Sequence, residues 1–250
     1  MVIITGPGRS GTSLIAKVYR ELGFDPGGEW IEEINAGLES HEIVRANAKI
    51  MSDLGVGLLG PPRTPLMPAP VARAWKRVAP VWVDTRLRLL FSRLPALVMR
   101  RRGFMRWDRF EDVVEKHRTA LQALADSYDV MKDPRFCWTL DVWAAAGVEI
   151  DRVLLCVRAL DASIRSRYAA GHLELVSGGE ARTWTVYGLG LCMTAIANHR
   201  LAFRVLRFPD FLTDPEKLYG ELSFPRPVSR QSFMQVFERV VRPELVHDQR

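Results

Sequence analysis

The sequence predicts an α/β fold, a mostly parallel central sheet flanked by helices, and three observations predict it. Four short apolar segments, 2–5, 129–132, 152–157 and 204–208, read as buried strands. Each leads through a turn into a segment with helical periodicity, the alternation that covers both faces of a parallel sheet. A glycine-rich loop follows the first strand and opens the first helix, and such sheets bind ligands beyond the carboxyl ends of their strands.

The elements follow in order. After the loop, Leu14, Ile15, Val18 and Leu22 recur on one helical face, and Gly23 supplies a stop. Phe110, Val113, Val114, His117, Leu121, Leu124 and Tyr128 make a second amphipathic helix that leads into the strand at 129. Trp184, Tyr187, Leu191 and Ala195 mark a third ahead of the last strand. With 250 residues, 48% of them apolar, the chain is long enough for one sizeable core, a single domain over 1–250.

Residues 60–109 break this rhythm. Pro61, Pro62, Pro65, Pro68 and Pro70 give an extended stretch, and Leu87, Leu90, Phe91 and Leu94 then line one side of a helical pattern. Residues 63–109 hold 12 Lys and Arg against Asp84 and Asp108, so the net charge of +6 for the whole chain is local to this stretch. We read it as a helical basic insertion, a cap or lid over the ligand edge of the sheet. A solvated face explains the charge equally; peripheral contact with an anionic membrane is a further role for such a face. Nucleic-acid binding is not expected, because it calls for interleaved aromatic and basic residues beyond this segment.

Cys137, Cys156 and Cys192 have no CxxC spacing, which argues against a zinc site or a disulfide framework. The apolar run from Leu87 to Met99 is interrupted by Arg88, Arg93 and Pro95, so no membrane span is expected. The opening Val2-Ile3-Ile4-Thr5 leaves no room for a secretory leader, and a cytoplasmic location is expected.

Gly6-Pro7-Gly8-Arg9-Ser10-Gly11-Thr12-Ser13 lies between strand and helix, where backbone N–H groups can turn inward on an anion and the helix terminus adds partial positive charge. This predicts the P-loop nucleotide-binding type of α/β fold. The triphosphatase pattern wants lysine where Thr12 stands, and the basic residue sits instead within the loop, at Arg9. Kinase chemistry through an unusual P-loop is therefore the secondary expectation.

Arg9-Ser10-Gly11-Thr12-Ser13 resembles the 5'-phosphosulfate loop of the sulfotransferases that use 3'-phosphoadenosine 5'-phosphosulfate (PAPS), in which Lys/Arg-Ser-Gly-Thr-Ser/Thr follows a first strand. Their second nucleotide element ends a strand on arginine, with a serine eight residues later. Val153 to Arg158, with Ser166 eight residues on, is similar. Met131-Lys132-Asp133-Pro134-Arg135 and Arg207 to Pro215 resemble segments of the bacterial branch, and together the similar parts span 2–47 and 129–222.

The resemblance implies a sulfotransferase that moves a sulfuryl group from PAPS to a hydroxyl or amine of a small acceptor, leaving adenosine 3',5'-bisphosphate and needing no metal. It assigns donor binding to Gly8, Arg9, Ser10, Gly11, Thr12 and Ser13, and the 3'-phosphate to Arg158 and Ser166. Arg9 and Lys132 would stabilise charge on the leaving oxygen. Seven tryptophans and the apolar face at 87–94 lean toward a hydrophobic or aromatic acceptor.

Pro134 stands where cytosolic eukaryotic members carry their catalytic histidine, so the base lies elsewhere, among Glu29, Glu32, Glu33, Glu39, His41 and Glu42. Some branches use a glutamate about twenty residues after the loop's basic residue, which puts Glu29 first. Glu39 follows, because Gly37-Leu38-Glu39 resembles a Gly-aromatic-Glu element of bacterial relatives; His41 is the third candidate. The family's C-terminal Arg-Lys-Gly clasp is missing, with Arg226, Arg230, Arg239 and Arg242 as substitutes, and Leu14 replaces the tryptophan that stacks adenine in several relatives.

Overall fold

The computed structural model describes residues 1–31, 36–56, 105–169 and 178–241. In chain order the elements are β1 (Val2–Thr5), α1 (Thr12–Glu21), the short strands β2 (Trp30–Ile31) and β3 (Ala36–Gly37), α2 (His41–Asp53), α3 (Phe110–Ala125), β4 (Val130–Lys132), α4 (Phe136–Ala145), β5 (Arg152–Arg158), α5 (Leu160–Ala169), α6 (Gly178–Asn198), β6 (Phe203–Phe208), α7 (Pro215–Glu221) and α8 (Arg230–Val240).

The central sheet is four-stranded and all-parallel, in the order β4-β1-β5-β6, with Val2 opposite both Val130 and Arg152, and Val153 opposite Phe203. The expected α/β fold is thus observed, and each of the four strands lies within a residue of its expected bounds. β1, β4 and β5 are nearly uninterrupted apolar runs because both faces are covered, whereas β6, expected as a buried strand, lies at the sheet edge with Arg204, Val205 and Arg207 exposed. Ile3, Met131, Val153 and Leu155 face a core shared with α2, α3, α4 and α6. Val2, Ile4, Val130, Leu154, Cys156 and Leu206 face the opposite core, built with α1, α7 and α8.

The helix stop after α1 is observed, with Gly23 at φ +88°. Positive φ carries a Cβ penalty for other residues, so glycine ends the helix cheaply. Asp214 caps α7 by accepting from Lys217 N at 2.9 Å, and Ser229 caps α8 by accepting from Ser232 N at 3.1 Å. The apolar α4, with Phe136, Cys137, Trp138, Leu140, Val142 and Trp143 all buried, shows no polar face to the solvent in its sequence pattern.

Most of the expected cap, 57–104, lies outside the described residues. Its two ends are adjacent: the chain leaves at Val56 and re-enters at Met105, where Arg106 N donates to Leu54 O at 2.9 Å. Val56 and Met105 are both buried in the core. Among the described residues no helix is long and apolar enough to cross a membrane.

The sheet order places the site. From β1 the chain moves outward to β4 on one side and then crosses to β5 on the other, so the direction of winding reverses beside β1. At such a switch point the loops leaving neighbouring strands diverge and open a crevice at the carboxyl edge.

Candidate functional site

Four strands end on this edge with Thr5, Lys132, Arg158 and Phe208. The loop from Gly6 to Gly11 leaves β1 with positive φ at Gly6, Arg9 and Gly11 (+152°, +67° and +91°). Glycine is required at two of these points by close approach. A Cβ on Gly6 would stand 2.0 Å from the Cys156 carbonyl oxygen, and one on Gly11 would meet Phe208 and Phe211 at 2.8 and 2.9 Å. The loop ends in α1, whose N-cap Gly11 offers no side-chain acceptor and whose first turn contains no acid. The first N–H groups of α1 are thus open to an anion.

Helix α5 docks on the loop through Ser163, Ser166 and Arg167, which share one face. Ser163 Oγ donates to the Gly8 carbonyl at 2.9 Å, and Arg9 Nε donates to Ser166 Oγ at 3.1 Å. The Arg167 side chain lies along Gly8, its Cδ and Nε 3.7 Å from where a Cβ would stand. Arg158, at the end of β5, stacks its guanidinium 5.0 Å from the centre of the Phe208 ring. Burial, and then the charge of Arg158, hold the Arg9 guanidinium below its ordinary pKa. Two cations that repel one another across a crevice make a site that gains from an anion placed between them.

Ser10 is fully buried beside Gly6, and its Oγ has no hydrogen-bond partner among the described residues. A hydroxyl in that state costs about 1–3 kcal/mol, a cost that ends when an acceptor comes within reach. Thr12 is buried, while Gly8, Gly11 and Ser13 are partly exposed. Backbone N–H groups and guanidinium groups, rather than hydroxyls, are what the loop offers to solvent.

Lys132 ends β4 with a side chain only 1% exposed. Its ammonium donates to Ser13 Oγ at 3.1 Å, to the Gly37 carbonyl at 3.1 Å and to Glu39 Oε1 at 2.6 Å. Lysine has three donors, and these contacts use them all. Contact between Lys132 and a ligand therefore requires one of them to exchange. Glu39 follows Leu38, which holds φ +59°, and its second oxygen lies 3.8 Å from Arg135. Arg135 is in turn held by Asp133 Oδ1 at 3.0 Å.

Asp133 is fully buried and anchors this group. Its Oδ2 accepts from Asn47 Nδ2 at 2.8 Å, and Asn47 Oδ1 accepts from Thr139 Oγ1 at 2.7 Å and Trp143 Nε1 at 2.8 Å. Burial pushes the Asp133 carboxyl upward against the opposing pull of Arg135. The hydrogen-bonded set ties α2, α4 and the end of β4 together beneath Glu39.

Of the three candidate bases, only Glu39 is brought onto a sequence-predicted site residue. The Glu29 carbonyl accepts from Leu38 N at 2.8 Å, so the β2–β3 hairpin brings its backbone close. The Glu29 side chain is exposed, and so is His41 at the first position of α2. Neither forms a side-chain hydrogen bond or ion pair among the described residues. Glu32 and Glu33 lie outside them.

The substitute C-terminal arginines are engaged elsewhere. Arg226 packs on Phe24 and donates to the Gly23 carbonyl, Arg230 pairs with Glu216, and Arg239 with Glu21. Gly23 and Glu21 mark the far end of α1, some 15 Å from the loop for ten residues of helix. Arg242 lies outside the described residues. Asn47, Asp133, Arg135 and Arg167 are additions of the structure. Asp133 and Arg135 stand in the Met131–Arg135 segment without a role read for them there, and the spacing of Arg167 from Ser163 and Ser166 is a signal that could have found it.

No family model matches the chain, and a search of the curated proteins returns no match. Among the described residues no group of three or more His, Cys, Asp or Glu side chains comes together.

Proposed function

We propose that the chain is a sulfotransferase that moves a sulfuryl group from PAPS to a hydroxyl or amine of a small acceptor. The observation that carries this reading is one convergence at the switch point: Arg9 and Arg158 approach each other from the β1 and β5 ends, and Lys132 binds both Ser13 and Glu39. The resemblance of the loop and of the Arg158–Ser166 element to PAPS-dependent sulfotransferases supplies the choice of donor. Open N–H groups and two mutually repelling guanidinium groups fit a ligand with separate anionic groups.

In this reading the loop N–H groups and Arg9 hold the 5'-phosphosulfate, and Arg158 with Ser166 holds the 3'-phosphate. Ser166 Oγ accepts from Arg9 and still has its own proton to donate to that phosphate. Attack by the acceptor oxygen or nitrogen forms the bond to sulfur while the bond from sulfur to the 5'-phosphate oxygen breaks, and the leaving bisphosphate takes the electron pair. Arg9 and the loop N–H groups stabilise that growing charge. The acceptor's proton goes to Glu39, whose carboxylate is aimed by Lys132 and Arg135. Lys132 reaches the transferring group by exchanging one of its three contacts.

Thermal denaturation with added nucleotide tests the reading. Adenosine 3',5'-bisphosphate at a hundredfold excess over its Kd should stabilise the protein by about 2.7 kcal/mol. Stabilisation by ATP with Mg²⁺ and none by the bisphosphate would instead point to a kinase and overturn the proposal.

A further inference from the structure

Arg167 has no part in the donor contacts above, yet its surroundings are those of a ligand-binding cation. It projects from the α5 face that docks on the loop, one residue beyond Ser166 and four beyond Ser163, and runs along Gly8 at van der Waals distance. Its Nη1 donates to Thr185 Oγ1 on α6 at 3.3 Å. Among the described residues that is its one hydrogen bond, and it forms no ion pair there. A guanidinium carries five donors and a charge that is not lost in proteins. Burial nonetheless lowers its pKa, and no carboxylate among the described residues pairs with it.

Nearby cations add to this demand. Arg9 and Arg158 share the same edge, and no carboxylate pairs with Arg9 among the described residues. Glu39, in the β4 group, is taken up by Lys132 and Arg135.

We propose that Arg167 is an anion-binding residue of this site and that it holds an oxyanion lying over Gly8. The proposal rests on the sulfotransferase reading for the identity of the neighbouring sites, but not for its chemistry. The oxyanion, a phosphate, sulfate or carboxylate, comes from one of two sources: the nucleotide donor itself, or an acidic group carried by the acceptor. Gly8 suits either, because the absence of a side chain leaves the loop backbone open beside the guanidinium.

Calorimetric titration of the full chain tests this with three probes: adenosine 3',5'-bisphosphate, inorganic pyrophosphate, and inorganic sulfate added to protein saturated with the bisphosphate. Arg167→Ala, Arg167→Lys and the exposed neighbour Arg165→Ala are compared with the wild type, each checked for an unchanged melting temperature. Arg165→Ala is expected to bind every probe as the wild type does. If the donor is the source, Arg167→Ala binds the bisphosphate at least tenfold more weakly, with partial recovery in Arg167→Lys. If the acceptor is the source, bisphosphate affinity stays within about twofold and the sulfate site on the saturated protein disappears. Wild-type affinity of Arg167→Ala for all three probes overturns the proposal. Should the wild type ignore the bisphosphate, the sulfotransferase reading fails, and the pyrophosphate titration alone decides the role of Arg167.

Discussion

Replacing Glu39 by glutamine separates a proton acceptor from a structural partner. Glutamine keeps an oxygen for Lys132 but cannot take a proton, so loss of a general base should lower kcat by about 10²- to 10⁴-fold. The structural cost is smaller. Removing one partner of a buried pair costs about 3–5 kcal/mol, but Glu39 is 34% exposed and the new amide oxygen still faces the ammonium at the 2.6 Å position. About 1–2 kcal/mol remains, which for a chain of this size lowers Tm by about 2–8 °C. Transfer of labelled sulfate from PAPS under single-turnover conditions, to the best acceptor from a screen, measures the chemical step. Calorimetry with adenosine 3',5'-bisphosphate measures donor binding, expected to stay within about threefold. Normal turnover by Glu39→Gln, with loss in Glu29→Gln or His41→Ala, refutes the assignment of the base and leaves the sulfotransferase reading standing.

Arg9→Ala should lower kcat by about 10²-fold or more, since one donor to transition-state charge is worth roughly 3–4 kcal/mol; Arg9→Lys should recover part of it, and near-normal turnover by the alanine variant defeats the assignment. Arg158→Ala should weaken adenosine 3',5'-bisphosphate by about 1.5–3 kcal/mol, the value of a charge-assisted contact, and adenosine 5'-phosphate far less; equal losses show that it reads something other than the 3'-phosphate. The raised carboxyl of Asp133 means that the folded state holds its proton more tightly than the unfolded chain does. Its contribution to stability is present below the ordinary carboxyl pKa, about 3.9, and is lost as pH rises through the native value. Urea midpoints from pH 3 to 7 should therefore fall with rising pH more steeply in the wild type than in Asp133→Asn, and parallel profiles contradict this account.

The strands and the glycine loop were legible for related reasons. A strand covered on both faces is an apolar run in any context, and Gly6, Arg9 and Gly11 need their backbone angles whatever surrounds them. The hairpin of β2 and β3 was not legible, because two residues per strand carry no alternation. Helix α4 was hidden for the opposite reason: apolar on nearly every side, it shows no period. The surroundings of the candidate bases were only half legible. Counting twenty residues from Arg9 leads to Glu29 as a candidate, and the contact of a second candidate, Glu39, with Lys132 depends on the turn at Leu38 and on the reach of the lysine.

Local sequence determined the four strands of the sheet and the amphipathic helices α1, α3 and α6, where the glycine loop stands, and that Arg9 sits within it, since each of these follows from burial periodicity or backbone freedom over a few neighbouring residues. Tertiary structure alone decided that β1 lies between β4 and β5, because strand order depends on how distant helices pack on the two faces. That order sets Lys132 and Arg158 on opposite sides of the loop. Contacts between residues far apart in sequence, Lys132 with Glu39, Arg9 with Ser166 and Asp133 with Asn47, then follow from the strand order, and no reading of spacing along the chain contains them.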